Sequence, residues 1–230
     1  MTPLLLIPGM MCDARMWGGL PMALAPRPFA HALPTAGETM AVIAAAILRE
    51  APPRFALAGL SMGGIVAMEM LAQAPDRIER LALLDTNARA ELPEVRAGRT
   101  PQIARALSGG LDTVMRDEMK PNYLAPGEKR QEVLDLCMDM ALALGPEIFR
   151  RQSVALRDRA DRQDVLARFR GPALVLMGEH DRLCPRDRHE LMHALMPQST
   201  FVVIPGAGHL PPLERSIETA AAMRRWLEDT

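Results

Sequence analysis

Ser61 lies midway between Gly59 and Gly63, and a serine with glycines at these two positions is typical of an activated nucleophile. An apolar run, Phe55 to Ala58, precedes this motif, and an almost wholly apolar stretch, Ile65 to Ala74, follows it. The order predicts a strand, a sharp turn and a buried helix, with the serine hydroxyl projecting above the sheet. We therefore predict that Ser61 is a nucleophile that attacks a carbonyl carbon.

A serine hydroxyl needs a base that accepts its proton. Of the five histidines, His209 lies in a loop rich in glycine and proline just past the last apolar run, where catalytic groups concentrate. We predict His209 as this base. His189 and His193 are four residues apart, a spacing that favours a shared, solvated helix face. A metal site at this pair lacks a third ligand in the sequence, so we predict none.

The base in turn needs an anion that orients its ring and stabilises its protonated form. Asp181 follows the apolar run Ala173 to Met177, and we predict that it is this anion. Asp85 also ends an apolar run and is the rival candidate, with a turn-capping role as its alternative. Glu179 is a lesser rival.

Negative charge that develops on a carbonyl oxygen is usually held by two backbone N–H groups. We predict that the N–H of Met62, the residue after the nucleophile, is one donor. The second is expected from the loop that follows the first apolar run. Met10 is the preferred residue of that loop, with Met11 close behind.

These residues must be positioned by a parallel sheet, because short apolar runs alternate with helix-like segments along the chain. Strands are expected at Leu4 to Ile7, Phe29 to Leu33, Phe55 to Ala58, Leu81 to Leu84, Ala173 to Met177 and Phe201 to Ile204. Thr39 is expected to cap one helix. A final amphipathic helix over Ser216 to Leu227 is expected to place Ile217, Ala220, Met223 and Leu227 near one face.

No strand signal occurs between about residues 88 and 170, where helix-like pieces are broken repeatedly by proline and glycine. We interpret residues 88–170 as a helical cap inserted into the sheet domain, and call them the cap segment. Residues 1–87 and 171–230 then form the core. Arg150 and Arg151 in the cap segment are candidates for pairing with a substrate carboxylate, although solvated helix charges are the favoured interpretation.

The 230-residue chain has a formal net charge of −1 and 49% hydrophobic residues, values ordinary for one globular catalytic domain. This charge balance predicts no nucleic-acid partner. No stretch approaches the roughly 18 apolar residues of a membrane helix, and the N-terminus lacks the charged region of a signal peptide. The three cysteines have neither disulfide nor metal spacing. We expect a cytoplasmic protein without a membrane partner.

Taken together and in this order, the motifs resemble the α/β-hydrolase fold family, especially its small esterases, enol-lactonases and C–C hydrolases with helical caps. The resemblance covers nearly the whole chain apart from the cap segment. Two departures are visible. Pro8 stands where the family usually has a histidine, and the chain starts at the strand that normally follows an antiparallel pair. We therefore expect a mostly parallel sheet of about six strands, with an edge exposed or covered by a second copy in a homo-oligomer.

The resemblance implies acyl-enzyme hydrolysis of a small-molecule ester or lactone by Ser61, His209 and Asp181, with no metal or organic cofactor. C–C bond hydrolysis, thioester hydrolysis and lyase chemistry use the same triad and stay open as alternatives. A non-catalytic binding protein on the same fold is the alternative of a different class. The intact set of three residues argues against it.

Overall fold

The sheet is built from six strands, and every hydrogen-bonded pair of neighbours is parallel in the computed structural model, which describes residues 1–228. The strand order is β2-β1-β3-β4-β5-β6. The strands are β1 (Leu4–Ile7), β2 (Phe29–His31), β3 (Phe55–Leu60), β4 (Ile78–Leu84), β5 (Ala173–Gly178) and β6 (Thr200–Ile204). The predicted α/β fold with about six strands is confirmed, and the sheet is wholly parallel within the described residues.

Helices cover both faces of the sheet, which explains why its central strands are nearly continuous apolar runs, apart from Glu79 and Arg80 near the start of β4. The helices are α1 (Leu20–Ala23), α2 (Met40–Glu50), α3 (Met62–Gln73), α4 (Pro93–Arg105), α5 (Leu111–Thr113), α6 (Arg130–Arg157), α7 (Gln163–Arg168), α8 (Arg186–Leu195), α9 (Pro211–Glu214) and α10 (Ser216–Glu228). None of the helices within residues 1–228 combines the length and apolar character needed to span a bilayer.

Successive residues of the central strands enter two separate hydrophobic clusters, one on each face of the sheet. Leu5 and Leu57 pack in the cluster that contains buried residues of α2 and α3. Leu4 and Ala56 pack in the cluster that contains buried residues of α10. The sheet is therefore the shared middle layer of a three-layer core.

The helix boundaries follow local capping chemistry. Thr39 caps α2 as expected, because its Oγ1 accepts a hydrogen bond from the N–H of Val42 at 3.2 Å. The predicted buried face of α10 is confirmed at Ala220, Met223 and Leu227 and is wrong at Ile217 alone. Ile217 is 81% exposed, whereas Thr219, Met223 and Trp226 are buried. Ile217 points away because it lies on the opposite side of the helix from these three residues.

Between β4 and β5 the chain contains helices and no strand among residues 88–170. The helical path is irregular, with π-helical turns at Ala106–Gly110 and Val114–Met119. The long α6 is kinked at Gly145, which has a φ of 80° and precedes Pro146. The core and cap boundaries at residues 88 and 170 stay predictions.

The turn after β3 depends on two glycines at which no side chain fits. A Cβ on Gly59 would lie 2.2 Å from the carbonyl oxygen of Gly63. A Cβ on Gly63 would lie 2.0 Å from the carbonyl oxygen of Ile7 at the end of β1. The backbones of β1, β3 and α3 are thus in direct contact around the predicted nucleophile.

We expect Gly63→Ala to lower the free energy of unfolding by about 1–3 kcal/mol or more, because the added methyl group meets backbone rather than a movable side chain. Gly98→Ala is the matched control, since Gly98 lies in α4 with no atom within 4 Å of its Cβ position. That substitution should stabilise the protein by about 0.5–1 kcal/mol. Urea denaturation measures both changes, and equal effects would contradict the close backbone approach.

Candidate active site

Ser61 occupies a strained turn between β3 and α3. Its φ of 55° and ψ of −121° lie outside the regions that non-glycine residues ordinarily adopt. The turn is held at both ends, because the N–H of Ser61 donates to Leu84 O at 2.9 Å and Thr86 Oγ1 donates to Ser61 O at 2.7 Å. The helix N-terminus then starts directly after the serine, where its N–H groups favour developing negative charge.

His209 and Asp181 form a buried pair. Nδ1 of His209 lies 2.9 and 3.0 Å from the two carboxylate oxygens of Asp181. Oδ1 of Asp181 also accepts hydrogen bonds from the N–H groups of Leu183 at 2.8 Å and Cys184 at 3.1 Å. Burial raises the pKa of Asp181, but His209 and these hydrogen bonds outweigh burial and hold the pKa below its usual value. Asp181 is therefore suited to remain an anion that orients the imidazole.

Ser61 and His209 line one cavity of about 420 Å³. Nδ1 of His209 is used by Asp181, while Nε2 has no hydrogen-bond partner among residues 1–228. Among these described residues, Ser61 Oγ and His209 are not hydrogen-bonded to each other. Such bonds are often long in substrate-free active sites and tighten in the complex with substrate.

The loop that carries His209 is fixed by Glu214, a residue that the sequence analysis missed. Oε2 of Glu214 accepts hydrogen bonds at 2.8 Å from the N–H groups of Gly208 and Ala125, and Oε1 accepts one from Leu210 at 2.9 Å. One carboxylate therefore holds the backbone on both sides of the imidazole. The sequence indicates this role only weakly, through the presence of an acidic residue shortly after His209.

The two predicted oxyanion donors have unused N–H groups. Neither Met10 nor Met62 donates a backbone hydrogen bond to another residue within 1–228. The N–H of Met11, by contrast, donates to Oε1 of Gln152 in α6 at 2.9 Å. This bond favours Met10 over Met11. The loop is also close to the nucleophile, since a Cβ on Gly9 would lie 3.3 Å from the Cβ of Ser61.

Neither rival acid contacts His209. Asp85 is fully buried, and its Oδ1 accepts a hydrogen bond from the N–H of Gly178 at 2.8 Å. Burial, followed by the charge of Asp181, raises the pKa of Asp85 well above its usual value. Its Oδ2 is buried without a hydrogen-bond partner among residues 1–228. Glu179 is exposed and accepts a hydrogen bond from Gly206 N–H.

The expected solvated face for His189 and His193 is wrong. His189 is fully buried, and its Nε2 accepts a hydrogen bond from the N–H of Thr86 at 3.3 Å. Burial lowers its pKa to about 4. His193 instead pairs through Nδ1 with Ser199 Oγ at 2.8 Å. The periodicity of residues in α8 does not show which side of the helix other segments cover. Here the segment after β4 covers the side that carries His189.

One atom each of Asp85, Asp181 and His189 lie within 4.8 Å of one another, a spacing that a metal ion could span. The donor set does not suit a metal, however. Asp181 already accepts hydrogen bonds from His209 and two N–H groups, and Nε2 of His189 is used by Thr86. Oδ2 of Asp85 is buried without a hydrogen-bond partner in the described part of the chain, but this single free oxygen does not make a metal site.

The cavity also contains charged residues that the sequence analysis missed. Glu91, Arg99 and Arg159 line it. Arg150 and Arg151, the arginines considered from sequence, instead pair with Glu147 on the surface of α6. Sequence periodicity alone does not distinguish these two groups of arginines.

Comparison with known proteins agrees with this fold. The model of the alpha/beta hydrolase family matches residues 4–222. The pimeloyl-[acyl-carrier protein] methyl ester esterase of Klebsiella pneumoniae subsp. pneumoniae is 28% identical over 230 residues, covering 90% of this chain and 86% of that relative.

Among solved structures, a thermophilic esterase from Thermogutta terrifontis with malate bound matches with a TM-score of 0.89 and 31% identity, covering 99% of this chain and 89% of that one. The enol-lactonase from Burkholderia xenovorans LB400 matches with a TM-score of 0.87, covering 99% of this chain and 92% of that one. At 23% identity the second likeness concerns the fold alone. The chain belongs to the alpha/beta hydrolase family and is an enzyme of the hydrolase class.

The two buried carboxyl groups are expected to respond differently to amide substitution. Asp181→Asn should lower kcat/KM for a p-nitrophenyl ester by ~10²-fold or more, because a neutral amide cannot stabilise the imidazolium. Asp85→Asn should change it by less than about threefold, since Asp85 does not hydrogen-bond His209 and an amide of the same shape retains an acceptor for Gly178. A reversed order of the two effects would assign the acid to Asp85.

Proposed function

We propose that this hydrolase cleaves a carboxylic ester or lactone of a small molecule through a triad of Ser61, His209 and Asp181. The observation that carries the proposal is the imidazole of His209, held through Nδ1 by Asp181, in the cavity that Ser61 also lines. The unpaired Nε2 is then available to accept the serine proton. Fold and family membership support the same chemistry.

In the proposed reaction, Ser61 Oγ attacks the carbonyl carbon while Nε2 of His209 takes its proton. The carbonyl oxygen becomes an anion that the N–H groups of Met10 and Met62 stabilise. Collapse of this intermediate expels the alcohol, which receives the proton from His209. Water, deprotonated by His209, then hydrolyses the acyl-enzyme and releases the acid. Asp181 stabilises the imidazolium in both halves of the reaction.

The cavity volume of about 420 Å³ supports a small organic substrate, because ligand pockets commonly measure about 300–1,000 Å³. Methionine side chains of Met10 and Met62 line it together with Ile65, and they provide an adaptable apolar wall. Esterase relatives favour ester hydrolysis over the C–C hydrolase and lyase alternatives.

Ser61→Ala should lower the turnover of p-nitrophenyl butyrate by ~10³-fold or more, because the covalent route is lost. The folded state should persist, since the alanine removes only a partly exposed hydroxyl. Stopped-flow release of p-nitrophenol and labelling by a fluorophosphonate probe measure the change.

Ser108→Ala is the control, because Ser108 is an exposed serine whose hydroxyl bonds only within its own turn of the chain, to Ala104 O. It should retain full activity and full labelling. Unreduced labelling of folded Ser61→Ala would place the nucleophile elsewhere. Absence of both turnover and labelling in the wild-type protein would favour the binding-protein alternative.

A further inference from the structure

Three charged side chains form a buried cluster in the cavity wall, all contributed by the cap segment. Glu91 and Arg159 side chains are 6% exposed, and that of Arg99 is 12% exposed. Oε2 of Glu91 lies 2.7 Å from Nε and 2.6 Å from Nη2 of Arg99. Its Oε1 accepts a hydrogen bond from Nη1 of Arg159 at 2.7 Å. One carboxylate therefore serves two guanidinium groups.

Both arginines of this cluster have N–H groups without an oxygen acceptor among residues 1–228. Nη1 of Arg99 contacts only the thioether sulfur of Met10, at 3.9 Å, among residues 1–228. Nη2 of Arg159 has no acceptor in the same part of the chain, although its Nε donates to Arg89 O at 3.0 Å. Donors that a guanidinium can offer to a planar oxyanion are thus unused on both arginines.

The charge of the cavity differs from that of the protein as a whole. The chain has a net charge of −1. The cavity wall, however, includes Arg182 and Arg188 besides the two buried arginines, and Glu91 is its acidic member apart from the catalytic groups. A cleft with excess charge of one sign concentrates ligands of the opposite sign.

A purely structural role explains only half of the cluster. One ion pair of Glu91 would suffice to join two parts of the cap segment, whereas the second buried guanidinium adds a desolvation cost that the same single carboxylate must offset. Burial lowers the pKa of Arg159 below its usual value, in spite of Glu91, and this reflects the same cost. An anionic ligand in the cavity would compensate it.

We propose that Arg99 and Arg159 bind a carboxylate of the substrate, so that the enzyme prefers half-esters of dicarboxylic acids, or lactones that carry a carboxylate, to neutral esters. This inference rests on the proposed function for the ester bond and adds the group at the other end of the acyl chain. The contact between Arg99 and the side chain of Met10 places the carboxylate subsite next to the proposed oxyanion hole.

Paired substrates test this preference. Mono-(4-nitrophenyl) adipate carries the free carboxylate, and methyl 4-nitrophenyl adipate is its neutral counterpart of similar length. We expect wild-type kcat/KM to be at least ~10-fold higher for the anion after correction for spontaneous hydrolysis. Arg159→Gln should lower that ratio ~10-fold, and it leaves Glu91 paired with Arg99. Arg99→Gln is the second variant, should the first fail to fold.

Arg151→Gln is the matched control, because Arg151 pairs with Glu147 outside the cavity. Its ratio should stay within about twofold of wild type. A wild-type ratio near one, or an unchanged ratio in folded Arg159→Gln and Arg99→Gln proteins, overturns the carboxylate subsite while Ser61-dependent hydrolysis of the neutral ester still stands.

Calorimetric titration with adipate against adipamide gives a readout without turnover. Tighter binding of adipate that is lost in Arg159→Gln would support the subsite even if neither ester were hydrolysed. Equal binding of the two compounds to the wild-type protein would contradict it.

Discussion

The structure depends on the close approach of three backbone segments around Ser61. The end of β1, the turn after β3 and the start of α3 touch without side chains between them, because Gly59 and Gly63 occupy the contact. This approach holds Ser61 at a positive φ at the carboxyl end of β3. It also brings the loop after β1, which carries Met10, against Ser61. Backbone strain at one residue is balanced by the packing of the whole sheet.

A second constraint is electrostatic. Asp85 and Asp181 end neighbouring strands β4 and β5, so the parallel sheet places two carboxyl groups side by side in a buried region. Two anions cannot share such a site, and their environments separate their pKa values. Asp181 has the imidazole and two N–H groups, so its pKa lies below the usual value, whereas that of Asp85 lies well above it. The same topology thus moves the pKa values of two neighbouring carboxyl groups in opposite directions.

The fold could be predicted from sequence because each central strand is a short apolar run that ends at a turn or at a residue capable of chemistry. Those ends meet at one edge of a parallel sheet, which is why Ser61, Asp181 and His209 could be proposed together. The charged wall of the cavity could not be predicted. Arg99 in α4 and Arg159 just after α6 reach the cavity because of the tertiary packing around Glu91, whereas Arg150 in α6 pairs with Glu38 and Glu147 away from it.

His189 was misjudged for a related reason. Its helix pattern is that of an exposed face, and only the tertiary packing of the segment after β4 buries it. Ile217 illustrates the opposite error, since an apolar residue at the start of a helix need not lie on its buried stripe. Local periodicity describes the element, whereas burial depends on its neighbours.

The cap segment is connected by hydrogen bonds to both loops that surround Ser61. Gln152 holds the N–H of Met11, and Glu214 joins the N–H of Ala125 to the backbone on either side of His209. Any opening of the cap to admit a ligand must stretch these bonds or move the two loops with it. Any movement of the cap segment would therefore be transmitted to the loops that carry Met11 and His209.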